Sequence, residues 1–224
     1  MSIPIWEQKS RDAIKSFLKK NLKAITALEA RDAVEADTRT FVTEMLVEGL
    51  GFDKYEELTA EYLVRGEFAD IGIRIDKKIE AFVEIKRVTT PLKDSHLRQV
   101  KTYAANEGVE WVVLTNGRVW QVYHISTKTP IEHTLLLEVD IVESGATAKS
   151  VDALWQISRE ALKREVLVGA WKTESALAPL KLAAAILSEP VIAAIRKELR
   201  AKTGNLVEVN KVIGAVAALF ETKR

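Results

Sequence analysis

Near residue 60 the hydrophobic pattern of this chain changes period, and that change sets its fold class. From Phe68 to Ile75 apolar and polar residues alternate, Asp76, Lys77 and Lys78 make a polar turn, and Ile79 to Arg87 alternates again. Successive side chains on a strand point to opposite faces, so two such runs in tandem read as a β-hairpin. If Ile75 and Ile79 close a three-residue turn, Asp70 lies opposite Glu84. In that register Ile71, Ile73, Ile75, Val83 and Ile85 share one face, while Asp70, Glu84 and Lys86 share the other. A slip of one residue would scatter the isoleucines, so the apolar pattern itself selects this pairing.

Helical spacing dominates before and after. Ile5, Ile14, Phe17, Leu18, Leu22 and Ile25 mark a first helix, and Thr38 to Leu50 a second that Gly51 closes. After the hairpin, Thr89, Thr90 and Pro91 end the strand. A helix capped by Asp94 or Ser95 then runs to about Asn106, with Gly108 just beyond. Trp111–Leu114 and Val119–Ile125 flank Asn116-Gly117, a strong hairpin signal. The order helix, strand, strand, helix, strand, strand predicts an α/β (α+β) fold with a mixed central sheet flanked by helices. The strands at 79–87 and 110–115 should run parallel through a right-handed crossover. Beyond about residue 148 the chain is helical again, Ser188-Glu-Pro190 starting one helix and Gly204 ending it. The expected division is a core over 1–147 and a helical subdomain over 148–224, suited to packing or to pairing two copies as a homodimer.

The 224 residues suffice for one sizeable core. With no cysteine, disulfides and thiolate metal sites are excluded, and His96, His124 and His133 lack metal-ligand spacing. Any metal must therefore be held by oxygen. No signal peptide or membrane-length apolar run is present, so a cytoplasmic protein is expected, without membrane contact. A net charge of +1 gives no general affinity for nucleic acid, which must come from local patches.

The hairpin carries the chemistry. Carboxylates on opposed residues lie about 5 Å apart at Cβ and repel, unless one takes up a proton or a cation sits between them. Mg²⁺ is bound in this way, by one or two carboxylates with water and substrate phosphates. A lysine two residues along the same face can orient or deprotonate a water and stabilise charge building on phosphorus. The plain alternative for Glu-x-Lys is an exposed, salt-bridged strand face. Against it, Asp70 and Glu84 each interrupt an otherwise apolar strand. If the two acids chiefly repel, Asp70→Asn should weaken cation binding while leaving the fold intact or slightly stabilised. Lys86, Arg87, Lys93, Arg98 and Lys101 against Asp94 alone form a basic run suited to a DNA backbone, a solvated helix face being the alternative.

Asp70 in Ala-Asp-Ile, followed by Val83-Glu84-Ile85-Lys86, resembles the PD-(D/E)xK nuclease superfamily, with Ala69 at the usual proline. His96-Leu-Arg-Gln99-Val-Lys-Thr-Tyr103 resembles the Gln-x-x-x-Tyr motif of the N-terminal nuclease domain of type I restriction endonuclease R (motor) subunits. Leu114-Thr-Asn-Gly-Arg-Val-Trp120 is similar to the hairpin that follows it there. Glu35-Ala-Asp-Thr-Arg39 and Leu50-Gly-Phe resemble the family's opening helix, so the likeness runs in order over roughly residues 30 to 125.

The resemblance implies a restriction-endonuclease-like core and a Mg²⁺- or Mn²⁺-dependent DNA endonuclease. Asp70, Glu84 and the Ile85 carbonyl would be metal ligands, Lys86 the catalytic lysine, and Gln99 and Tyr103 groups serving cleavage. Without the resemblance, Tyr103 reads as a buried tyrosine with a polar neighbour. Glu35 is a further acidic candidate, in competition with Glu44. Arg87, Lys93, Arg98 and Lys101 would contact DNA. No Gly-x-x-x-x-Gly-Lys-Ser/Thr occurs, so the family's ATPase motor is not expected within these residues. The protein would act alone or with motor and specificity subunits encoded elsewhere. The alternative is a non-catalytic nucleic-acid-binding or assembly protein that keeps the fold.

Overall fold

The computed structural model describes residues 3–221 except 65 and 66, and except the side chains of 63, 64, 67, 68, 99 and 221. The chain forms two compact units, Met1–Gly169 and Ala170–Arg224.

The first unit is built on a six-stranded sheet of order β1-β2-β3-β4-β5-β6. These strands are β1 Leu58–Val64, β2 Glu67–Ile75, β3 Lys78–Ile85, β4 Trp111–Thr115, β5 Val119–Ile125 and β6 His133–Asp140. β3 and β4 are parallel and every other neighbouring pair is antiparallel, the mixed sheet expected. The edge strands β1 and β6 were not expected from the sequence. β6 is largely half-exposed, so its side chains show no clean two-residue alternation to read.

The β2–β3 hairpin turns in two residues rather than three. Asp76 and Lys77 both take positive φ, 49° and 71°, the twist that suits a two-residue hairpin, and Ile75 pairs with Lys78. Arg74 then pairs with Ile79 and Ile73 with Ala81, so Glu80 is the extra residue of a bulge. The shorter turn and the bulge offset each other. Beyond the bulge, Ile73–Ala81 and Ile71–Val83 stand in the register that the apolar pattern selects.

Helix α1 spans Ile5–Ala30, α2 Glu35–Glu44 and α3 Leu97–Glu107. α3 lies on one sheet face, where Leu97, Val100 and Ala104 pack with Phe82, Val112, Leu114, Tyr123 and Ile125. Side-chain alternation puts Val83, Ile85, Val113 and Val122 on the other face, and these are also buried. α2 packs against β3, and α1 against α2. Both faces are therefore covered, which explains the nearly continuous apolar strands β3 and β4. Among the short helices α4 (Ile141–Ser144), α5 (Ala148–Trp155) and α6 (Arg159–Lys163), α5 contacts α1 and β6. Val151, Leu154, Ile157, Ala161 and Leu162 are buried. The chain thus divides after Gly169 rather than after residue 147, because α5 and α6 contribute to the first core. The second unit holds most of α7 (Val166–Leu177), then α8 (Pro179–Ile186), α9 (Glu189–Thr203) and α10 (Val209–Glu221), with α9 packed on α10.

The turn between β4 and β5 fixes the end of β3. Asn116 is buried; its Nδ2 donates to the carbonyls of Val88 and Thr90, and its Oδ1 accepts from the Arg118 and Val119 amides. Gly117 has φ +80°, and a Cβ there would stand 2.9 Å from Ile25 and 3.3 Å from Thr38. Left-handed backbone and crowding both oppose a side chain. Gly117→Ala should lower unfolding stability by about 2–3 kcal/mol in urea denaturation. A loss no larger than that of a surface substitution would show that the turn relaxes freely.

Candidate active site

The charged residues gather where β3 ends. Glu84 sits on the α3 face of β3, next to Phe82 in alternation, and is only 9% exposed. This is not the open strand face of the plain alternative. Lys86 follows two residues later, and its Nζ donates to Glu84 Oε1 at 2.6 Å. Burial weakens the acidity of Glu84 most; the Lys86 hydrogen bond and charge work the other way, and Asp70 and Glu35 add repulsion. Burial also acts against the Lys86 ammonium, but Glu84, with Glu35 and Asp70, outweighs it and raises the Lys86 pKa. Lys86 is charged at neutral pH.

Asp70 reaches the same place from β2. The ladder between β2 and β3 runs as far as Ile71–Val83, and just beyond it Asp70 Oδ2 accepts the Ile85 amide at 2.7 Å. Its Oδ1 accepts from Arg39 Nη2. Asp70 therefore replaces a backbone partner for β3 and carries its own cation. Glu35, at the start of α2, is half-buried and acts electrostatically on both Glu84 and Lys86. Glu44, at the other end of α2, is exposed, so of the two acids Glu35 is the one at the site.

The strand end is tied down on several sides. The Lys86 amide donates to the Thr115 carbonyl at 2.8 Å, and the Val88 amide to Thr38 Oγ1 at 3.1 Å. Arg87 Nε donates to the Ala33 carbonyl at 2.9 Å, and its Nη2 pairs with Asp32. Arg87 is thus a structural clamp on the turn between α1 and α2, not a free phosphate contact as the basic run suggested. Lys93 and Arg98 are exposed and Lys101 is half-buried, so these remain available to solvent.

Tyr103 belongs to the apolar core beneath α3. It is 6% exposed and packs in the α3 core cluster with Leu97, Val100 and Ala104, one turn of helix bringing its ring into the apolar stripe. This matches the reading of Tyr103 made without the resemblance. The Gln99 side chain lies outside the described residues. The Ile85 side chain is fully buried, and its amide is the group Asp70 holds.

Two residues at the site were not singled out from sequence. Arg39 lies one turn after Glu35 on α2, a spacing that was visible in Glu35-Ala-Asp-Thr-Arg39. His96, just before α3, accepts the Lys93 amide at Nδ1, 3.2 Å away. Burial, then the charges of Lys86 and Lys93, lower its pKa, against a raising contribution from Glu35, so the imidazole is neutral at pH 7.

Among the described residues no group of three or more His, Cys, Asp or Glu side chains is arranged to hold a metal ion. Asp70 and Glu84 are two hard oxygen donors, each now matched to a cationic side chain. Such a donor pair suits Mg²⁺, which keeps several waters and takes further oxygens from phosphate.

A mixed sheet covered by helices, with acids and a lysine gathered at the carboxyl end of its parallel strand pair, defines an α+β domain with a charged site. Residues 34–139 match the family described as type I restriction enzyme R protein N terminus. Neither among curated proteins nor among solved structures does a match to the chain occur.

The two acids differ in environment, and this corrects the expectation that removing the Asp70 charge would be neutral or stabilising. Asp70 is ion-paired to Arg39 and hydrogen-bonded to a backbone amide, so Asp70→Asn should lower stability at pH 7 by about 1 kcal/mol. Glu84 has a folded pKa above its unfolded value, so its contribution is complete below about pH 4.5 and is lost as pH rises through the folded pKa. Glu84→Gln should therefore melt at or above the wild-type temperature at pH 7, with the advantage fading as pH falls towards 4.5. Thermal melts of both variants between pH 4 and pH 8 test this; shifts of the same sign at pH 7 would show that the two carboxylates share one environment.

Proposed function

We propose that this domain is a Mg²⁺- or Mn²⁺-dependent DNA endonuclease. The observation that carries the reading is the meeting of Asp70, Glu84, Lys86 and Glu35 in one electrostatic cluster at the end of β3, in a restriction-enzyme family domain. A divalent cation held there would act as a Lewis acid and supply an activated water. Asp70 and Glu84, with the Ile85 carbonyl, are the residues to hold it, and Glu35 adds negative charge close by. Lys86, charged and tethered to Glu84, is placed to orient the attacking water and to meet the charge growing on the phosphoryl oxygens. Arg98, Lys101 and Lys93 supply positive charge on and beside α3 for the DNA backbone. By family, the domain would work on DNA together with motor and specificity subunits, and the helices of Ala170–Arg224 would serve assembly, including pairing of two copies. One observation favours the non-catalytic alternative: both carboxylates already have internal cationic partners and are satisfied without a metal.

Plasmid cleavage with Mg²⁺ or Mn²⁺ separates the readings. Glu84→Ala and Lys86→Ala should each lower the rate at least about a hundred-fold while DNA binding persists. Wild-type protein that binds DNA without cutting it, under conditions where its family partners are present, would favour the binding protein. Arg98→Ala and Lys101→Ala should weaken DNA binding and flatten its salt dependence by about one unit of logarithmic slope per lost contact. An unchanged slope would move the DNA path off α3.

A further inference from the structure

Arg39 is the cation nearest to Asp70, and its hydrogen bonding is incomplete. A guanidinium carries five N–H donors. Nη2 donates to Asp70 Oδ1, and Nη1 stands 3.7 Å from Glu61, beyond hydrogen-bonding range. Nε is buried and has no hydrogen-bond partner among the described residues. A buried donor with nothing to bond is uncommon and marks a place where an acceptor is missing. Arg39 lies one helical turn from Glu35, so both project from one face of α2 towards the cluster.

A divalent cation on Asp70 would compete with this guanidinium for the same carboxylate oxygen, and two cations on one oxygen repel. A phosphate oxygen is the acceptor a displaced guanidinium would take, because its planar fork matches phosphate geometry. The same movement would give Nε–H its partner.

We infer that Arg39 is a latch between metal and DNA: it occupies the cation position on Asp70 until a divalent ion displaces it, and then binds a backbone phosphate of the nucleic acid. Metal and DNA thereby strengthen each other's binding, by the same factor in either order. This rests on the nuclease reading above and adds to it a linkage beyond the one that phosphate coordination to the metal supplies. Arg39 acts here as a positioning residue in the metal-free protein and as a phosphate contact in the complex.

The test uses the full chain with Ca²⁺, to limit cleavage, and a short DNA duplex. Calorimetry measures Ca²⁺ affinity with and without the duplex, and anisotropy measures duplex affinity with and without Ca²⁺. In the wild type each ligand should tighten the other about ten-fold or more. In Arg39→Gln, Ca²⁺ alone should bind more tightly, DNA more weakly, and the mutual factor should fall well below its wild-type value, to what direct metal–phosphate coordination supplies. A bystander positive charge would change both affinities but leave that factor at its wild-type value, and this result would overturn the latch. If Arg39→Gln loses cooperative melting, Arg39→Lys keeps the charge but lacks Nε–H and the fork. A reduced factor there supports the latch and a wild-type factor rejects it. Asp70-dependent Ca²⁺ binding with no coupling to DNA in the wild type would also reject it. Failure of the nuclease reading looks different: Ca²⁺ would bind wild type and Asp70→Asn alike.

Discussion

A carboxylate almost removed from water, Glu84, organises this domain. A buried anion is costly unless it is paired, and two acids near it, Asp70 and Glu35, make the position harder still. The fold meets this with two cations from different directions. Lys86 reaches back along its own strand, and Arg39 arrives from α2 to take Asp70. Glu35 keeps the balance negative. The result is a charged cluster that holds together without an added ion, yet contains two oxygen donors that a stronger cation could claim.

Holding the cluster in place is the task of the chain just after β3. The amides of Ile85, Lys86 and Val88 are each bonded outside the β2–β3 ladder, to Asp70, Thr115 and Thr38. The carbonyls of Val88 and Thr90 go to Asn116. Arg87 pins the turn between α1 and α2. Strand β2, strand β4, helix α2 and the β4–β5 turn therefore all converge on a few residues. Packing against Ile25 and Thr38 leaves no space for a side chain at Gly117, which links that turn to the helices behind the sheet. A site built in this way is tied down at its base by hydrogen bonds from four directions.

The helices of Ala170–Arg224 are of a different kind. Leu180, Leu206 and Leu219 are more than half exposed there, and buried apolar residues such as Ile192 and Val212 are few. No helix among the described residues is long and apolar enough to cross a membrane.

Periodicity settled a large part of this structure in advance. The isoleucines of β2 and β3 selected the register that sets Asp70 beside Glu84. They did so even though the turn is one residue shorter than the spacing suggested, because a one-residue slip would carry the isoleucines off the face they share. Asn116-Gly117, Gly108 and Gly204 marked their turns and helix ends because their positive φ values suit glycine. The edge strands β1 and β6 escaped notice, since a half-exposed strand has little apolar alternation. Tertiary packing alone decided which charges are free. Lys86, Arg87, Lys93, Arg98 and Lys101 are equivalent as a string of cations, but Lys86 and Arg87 are bound to carboxylates and carbonyls. Packing also put Tyr103 in the core, brought Arg39 to Asp70, 31 residues away in sequence, and set His96 within electrostatic reach of Lys86 and Glu35. Composition and period report which face of an element is buried; the partner of a charge depends on distances between elements, which no local pattern encodes.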